Sequence, residues 1–391
     1  MMFTERLSIR DAQSRWYYLL FALCLLFNGT LKLEAQQDLE DKDLGEGVLV
    51  PQARELPSRH IISAPKFQDV PVIDGTLADG EWLQAARFTG FFDYVEVERF
   101  PFETIGYIGW DSKAVYLAFE AHLPPGLEAT GNYGPEETDP RLYNDNSMEF
   151  WLRPDDQNYA FFINPRGAVA DFRTTGRFDW QAEWQAAVQK TDTGYAGEMR
   201  IPFASLEATT PNAGDLWPFN LTRYEKERPG RPRRDRAEFA FMAGKFSSSH
   251  PRFAALRFVE TPVVRTDAVG FVRGDKIGYF GSISNSGPAP LELDITYELF
   301  VADDLGGYMF KPEGIEAPIH FRKVDESRTE TMTVAPGETA SAAHFRASEP
   351  GSYMVGVQMK EAGSDRVIYS QYMVGAIRMP LTLLTESRFL M

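Results

Sequence analysis

From residue 61 onward, apolar and polar positions alternate in short runs separated by turn residues. That is the period of β-strands, not of helices. Strands are predicted over 104–110 and 114–119, flanking the compact turn Asp111-Ser112-Lys113. Further runs fall at 148–152, 159–163, 169–173, 184–188, 195–201, 219–224 and 253–258. The only helical signals are one turn near 79–85 and another near 203–206. Many strands at this spacing predict an all-β fold built as an antiparallel β-sandwich.

Near 260–267 the texture changes and a second β unit begins. Runs at 276–283, 291–301, 330–334, 341–345, 352–359 and 366–372 are punctuated by Asn-Ser-Gly, Pro-Gly and Gly-Ser-Asp turns. They predict an immunoglobulin-like β-sandwich over 268–378, a spacer or scaffold without a chemical cluster. Residues 379–391 read as a tail or as the start of a further strand, which would make the chain the front of a longer protein.

At the other end, Arg6, Arg10 and Arg15 precede an apolar run from Trp16 to Phe27, with Leu33-Glu34-Ala35 before Gln36. This is the pattern of a signal peptide over 1–35, so a secreted, periplasmic or cell-surface location is expected, with no membrane span after cleavage. The polar, acidic stretch 36–60 reads as a disordered leader. The single cysteine, Cys24, lies inside the apolar run, so disulfides, thiolate catalysis and cysteine metal sites are not expected. With 391 residues, 43% hydrophobic and including 29 Phe, the chain has ample material for packed cores. Its formal charge of −16 argues against nucleic acid and leaves neutral ligands open.

The stretch Tyr143-Asn144-Asp145-Asn146-Ser147-Met148-Glu149-Phe150-Trp151 is the most informative for chemistry. With period two, Met148, Phe150 and Leu152 face a core, and Ser147, Glu149 and Trp151 face away from it. A carboxylate between rings suits a sugar, whose C–H faces stack on aromatics and whose hydroxyls donate to the acid. The same pattern also fits a sandwich strand with a mixed outer face and no ligand.

Six landmarks in order make residues 65–258 resemble carbohydrate-binding module family 9, within the DOMON-like sandwiches. They are Pro71-Val72-Ile73-Asp74-Gly75 with Glu81-Trp82; Tyr107 to Trp110 with Val115-Tyr116-Leu117-Ala118; Asn144 to Phe150; Phe162-Ile163-Asn164-Pro165; Glu198 to Phe203; and Phe219-Asn220-Leu221-Thr222-Arg223. The resemblance implies a non-catalytic domain over 61–260 that binds polysaccharide or oligosaccharide beside a partner hydrolase in glycan degradation. It implies Glu149 as the hydroxyl acceptor and Tyr143 as one aromatic platform. Phe246 takes the place of the second platform, where no Trp occurs, and no Arg follows Glu149 in the next strand. Family members also hold structural calcium, and Asp74, Asp79 and Glu81 are the acids available for it.

Outside that strand, Trp180 beside Asp179 is a further stacking candidate. Arg231, Arg233 and Arg234, in a Pro/Gly-containing insertion, could form a cationic lip for acidic or sulfated glycans. Neighbouring acids make a solvated loop the plainer reading. Histidines lack metal spacing, and haem ligation through Met148 and His250 conflicts with a core Met148. No catalytic motif is present. Besides the binding module, two readings stay open: a protein-interaction scaffold that kept the fold without the sugar site, and the N-terminal part of a glycoside hydrolase.

Overall fold

The computed structural model describes residues 58–377, except 79, 94–98, 138–140, 143–144, 174–179, 226–234, 241–252, 303–320 and 325–326; the side chains of 235, 236 and 347 are also left undescribed. The described elements are strands with two short 3-10 turns, so the protein is all-β. In the first half the strands are β1 (Ile61–Pro65), β2 (Ala86–Phe88), β3 (Phe92–Asp93), β4 (Thr104–Trp110), β5 (Ala114–His122), β6 (Ser147–Leu152) and β7 (Tyr159–Ile163). They continue with β8 (Val169–Arg173), β9 (Gln185–Thr191), β10 (Gly194–Pro202), β11 (Leu216–Glu225), β12 (Asp235–Glu238) and β13 (Ala254–Val259). The second half adds β14 (Val263–Arg273), β15 (Lys276–Ser284), β16 (Leu291–Ala302), β17 (Phe321–Lys323), β18 (Arg328–Val334), β19 (Thr339–Ala347), β20 (Gly351–Glu361) and β21 (Val367–Ile377).

Two sheets run through both halves. One has the order β17-β16-β20-β21-β1-β13-β11-β6-β7-β8, with β18 on β16, β12 on β11 and β3 on β12. The other has the order β19-β15-β14-β2-β4-β5-β10-β9. The first sheet is joined across the halves by β1, which pairs in parallel with β13 and meets β21 at Ile61 and Ser370. In the second, β14 meets β2 at Arg265 and Arg87. The hydrophobic interior is likewise continuous: Phe88, Phe150 and Phe219 belong to the same buried cluster as Tyr297, Val357 and Tyr369.

Alternation explains most of the elements, and cross-strand pairing fixes their lengths. The Asp111 carboxylate accepts the N–H groups of Lys113 and Ala114 at 2.7 Å each, closing the β4–β5 hairpin at the expected turn. Two expectations need correcting. Residues 80–84 form hydrogen-bonded turns instead of a helical turn. The sequence reading also missed β14, because register shifts at Thr266/Ala268 and Val269/Phe271 break the period of two.

Candidate functional site

Glu149 lies at the middle of β6, with Thr222 of β11 opposite it on one side and Phe162 of β7 on the other. Met148, Phe150 and Leu152 point to one face of the sheet and Glu149 and Trp151 to the other, but all of them are buried and Trp151 and Phe162 belong to the same hydrophobic cluster, so the expected outer face of β6 is a second packed face. That face is covered: Glu149 is 1% exposed and Trp151 4%. The Glu149 carboxylate accepts the Thr222 hydroxyl at 2.9 Å and the Trp151 indole N–H at 3.2 Å, both through Oε2. The Trp151 ring meets Phe162 and Phe172 edge-on at 5.9 and 5.3 Å, while Phe162 and Phe172 stack at 5.3 Å. Thus one buried carboxylate sits beside a cluster of three rings, with its orientation fixed by a hydroxyl and an indole.

Asp145, just before β6, is a fastener. Its Oδ2 accepts the Asn132 N–H at 2.7 Å and the Asn164 amide at 3.1 Å, and its Oδ1 accepts the Asn146 N–H at 3.0 Å. Asn164 Oδ1 accepts the N–H groups of Arg166 and Ala168, shaping the turn between β7 and β8. The polar residues of this landmark therefore hold loops at the end of the Glu149 face.

Trp180 lies on the opposite side of the sheet from Glu149. Its ring meets Tyr159 at 5.1 Å and Phe161 at 6.1 Å, and those residues share the core face with Phe150. Trp184 joins it against Phe161 and donates its indole N–H to Asp171 at 2.8 Å. The two indoles cover the β8 edge of the sandwich. Tyr143, Phe246, Arg231, Arg233 and Arg234 lie outside the described residues.

The acids considered for calcium have other partners. Asp74 Oδ1 accepts the Thr76 N–H at 2.8 Å, and Glu81 Oε1 accepts the Val72 N–H at 2.6 Å. Asp79 is outside the described residues, and among the described residues no group of three acidic, His or Cys side chains gathers as a metal site.

The loop bearing Asp74 is organised by Glu198 of β10. The Glu198 carboxylate accepts the Trp82 indole N–H at 2.8 Å and the backbone N–H groups of Asp74 and Gly75 at 3.0 and 2.8 Å. Burial pushes its pKa up, opposed by these three donors. The opening landmark and the Glu198 landmark are thus two parts of one hydrogen-bonded unit.

Thr222, Phe162 and Phe172 complete the Glu149 environment, and the sequence did not single them out as site residues. Their signal was the pairing register, which alternation along one strand does not contain.

No family model matches the chain, and no curated protein does. Among solved structures it is similar to a carbohydrate-binding module of family 9 from Caldicellulosiruptor kristjanssonii in complex with cellotriose, at 16% identity and a TM-score of 0.38. That alignment covers 52% of this chain and 95% of the module. The module in complex with glucose aligns at 16% identity and a TM-score of 0.38, covering 54% of this chain and 100% of the module. A β-glucuronidase from Bacteroides uniformis aligns at 11% identity and a TM-score of 0.21, over 78% of this chain and 30% of the enzyme. At such scores these likenesses carry no weight for the function, and the all-β fold rests on the strand pairing itself.

Proposed function

We propose that the protein is an exported, non-catalytic saccharide-binding protein whose binding face is the outer side of β6, β7 and β11. The reading rests on one observation: the Glu149 carboxylate, on the opposite face of β6 from Phe150, is oriented by Thr222 and Trp151 beside Phe162 and Phe172. A fixed carboxylate accepts sugar hydroxyls, and rings cover the apolar C–H face of a pyranose. Tyr143 and Phe246 would add aromatic platforms, and Arg231, Arg233 and Arg234 a lip for carboxylated or sulfated glycans. Residues 1–35 would direct export, residues 61–260 would hold the sugar, and 268–378 would serve as an immunoglobulin-like spacer. The setting is extracellular glycan degradation beside a partner hydrolase.

The test is calorimetry and array binding of the full chain against neutral and sulfated oligosaccharides at two salt concentrations. Salt-insensitive binding to a neutral sugar, lost in Glu149→Gln with the melting temperature retained, is the expected result. Binding that weakens steeply with salt would instead place recognition on the arginine-rich insertion. A second reading, a protein-interaction scaffold, is favoured by the near-complete burial of Glu149 and Trp151, which leaves little carboxylate or ring surface for a ligand. Failure to bind every glycan would leave that reading.

A further inference from the structure

The second sheet carries a polar concavity on its outer face, on strands that do not include Glu149. It is a cavity of about 370 Å³, within the roughly 300–1,000 Å³ range of small-molecule sites. Its floor follows from strand register: Glu120 of β5, Ala196 of β10 and Gln189 of β9 stand side by side across three strands. The small Ala196 between two long polar side chains makes the hollow. Trp82, Tyr107 and Arg265 form the wall, and Thr191 lies at the β9 end.

Hydrogen bonds already orient the groups of the wall. Tyr107 donates its hydroxyl to Glu120 Oε1 at 2.6 Å, and burial beside that carboxylate pushes the phenol up to about 12, so it remains a donor at neutral pH. Arg265 lies over the Tyr107 ring at 5.7 Å, and its Nη1 donates to the carbonyls of Trp82 and Ala85 at 2.8 and 3.2 Å. Trp82 has its indole N–H committed to Glu198 and is buried against Phe67 and Tyr107, so it shapes the wall without offering a free donor. Gln189 and Thr191 are exposed at the opposite rim, with Gln189 Oε1 accepting the Thr76 hydroxyl at 3.3 Å.

Charge narrows the ligand class. Among the described residues the lining carries one acid, Glu120, and one base, Arg265, with neutral Gln189 and Thr191, so it does not present charge of a single sign. A polyhydroxylated neutral molecule can instead donate to Glu120, accept from Arg265, exchange hydrogen bonds with Gln189 and Thr191, and rest over the small Ala196. We infer that this hollow, formed by Glu120, Ala196, Gln189, Trp82 and Arg265, is a binding site for a short neutral oligosaccharide, separate from the Glu149 face.

Methyl NMR of the full chain tests this, with the Ala196 and Thr191 methyls as reporters and the Trp151 indole N–H reporting on the other face. Cellotriose, xylotriose, mannotriose and maltotriose are titrated to about 20 mM, at which even a millimolar site fills. At least one should shift the Ala196 and Thr191 methyls saturably, and Ala196→Leu, which fills the hollow, should weaken the Thr191 response at least tenfold. Gln189→Ala at the exposed rim should weaken it several-fold without changing the melting temperature, covering the case in which Ala196→Leu misfolds. No response at Ala196 and Thr191 to any of the four sugars overturns the inference, as does a response undiminished in both variants. A shift of Trp151 alone would overturn this site while supporting the Glu149 face, and a shift of the two methyls alone would do the reverse.

Discussion

Glu198 accepts the indole N–H of Trp82 at 2.8 Å across 116 residues of chain. Through this bond the strand-poor opening segment is tied to the middle of β10, beside the edge strand β9, and the same carboxylate collects two backbone N–H groups from Asp74 and Gly75. Replacing Glu198 by Ala strands three buried or half-buried donors at once. An orphaned donor costs about 1–3 kcal/mol, so a loss of at least about 3 kcal/mol is expected, whereas Trp82→Phe leaves one acceptor partly unpaired and costs less through the hydrogen bond alone. Urea unfolding of both variants checks the order; equal losses would count against the three-donor account.

Gly75 lies in the same unit with φ +89, a conformation that favours glycine, and a Cβ there would come within 2.9 Å of the Val188 backbone nitrogen on β9. Gly75→Ala should therefore destabilise the protein by more than the roughly 1 kcal/mol that an unfavourable φ alone brings. Gly126, also at positive φ but with nothing within 4 Å, provides the control: Gly126→Ala should cost distinctly less by thermal unfolding.

His60 is 2% exposed and bridges distant segments. Its Nε2 accepts the Tyr372 N–H at 3.0 Å, so the ring proton sits on Nδ1, which donates to the Phe239 carbonyl at 3.0 Å. Burial lowers its pKa to about 4, against an ordinary value of 6.5. Because the unfolded chain takes up the proton first, stability is fully present above pH 6.5 and is lost as pH falls through 4. The shift corresponds to roughly 3 kcal/mol. His60→Gln should remove this slope between pH 6.5 and 4 relative to the parent chain, in denaturant titrations at several pH values. An unchanged slope would assign it to other groups.

Arg223 is fully buried, paired with Glu225 at 2.7 Å, and donates to the Glu103 and His122 carbonyls and to the Thr104 hydroxyl. It joins β11 of one sheet to β4 and β5 of the other. Removing one partner of a buried pair typically costs about 3–5 kcal/mol, because the remaining charge is left uncompensated. Glu225→Ala should fall in that range. The double variant Arg223→Met/Glu225→Leu should be less destabilised than the sum of the singles, as equilibrium unfolding would show.

Much of the β architecture was legible along the chain. The runs at 104–110, 159–163 and 169–173 became β4, β7 and β8 with the expected bounds. Each of those strands follows the period of two or is bounded by a clear turn. β14 was hidden because its bulges shift the period, and β2, β3 and β12 were hidden because two to four residues are too few to show one. The face on which Glu149 lies was legible for the same reason that β6 was: alternate residues must point to opposite sides.

Local apolar spacing and backbone geometry were enough to specify a strand-rich fold and to send Phe150 and Glu149 to opposite faces of β6. Packing between distant strands settled that the Glu149 face is covered, which residues gather on it, that Trp180 lies on the other side of the sheet, and that Glu198 reaches back to Trp82. Those outcomes depend on which strands pair and in what register. Register is set by the packing of both sheets together, so it is written in no single segment of the chain.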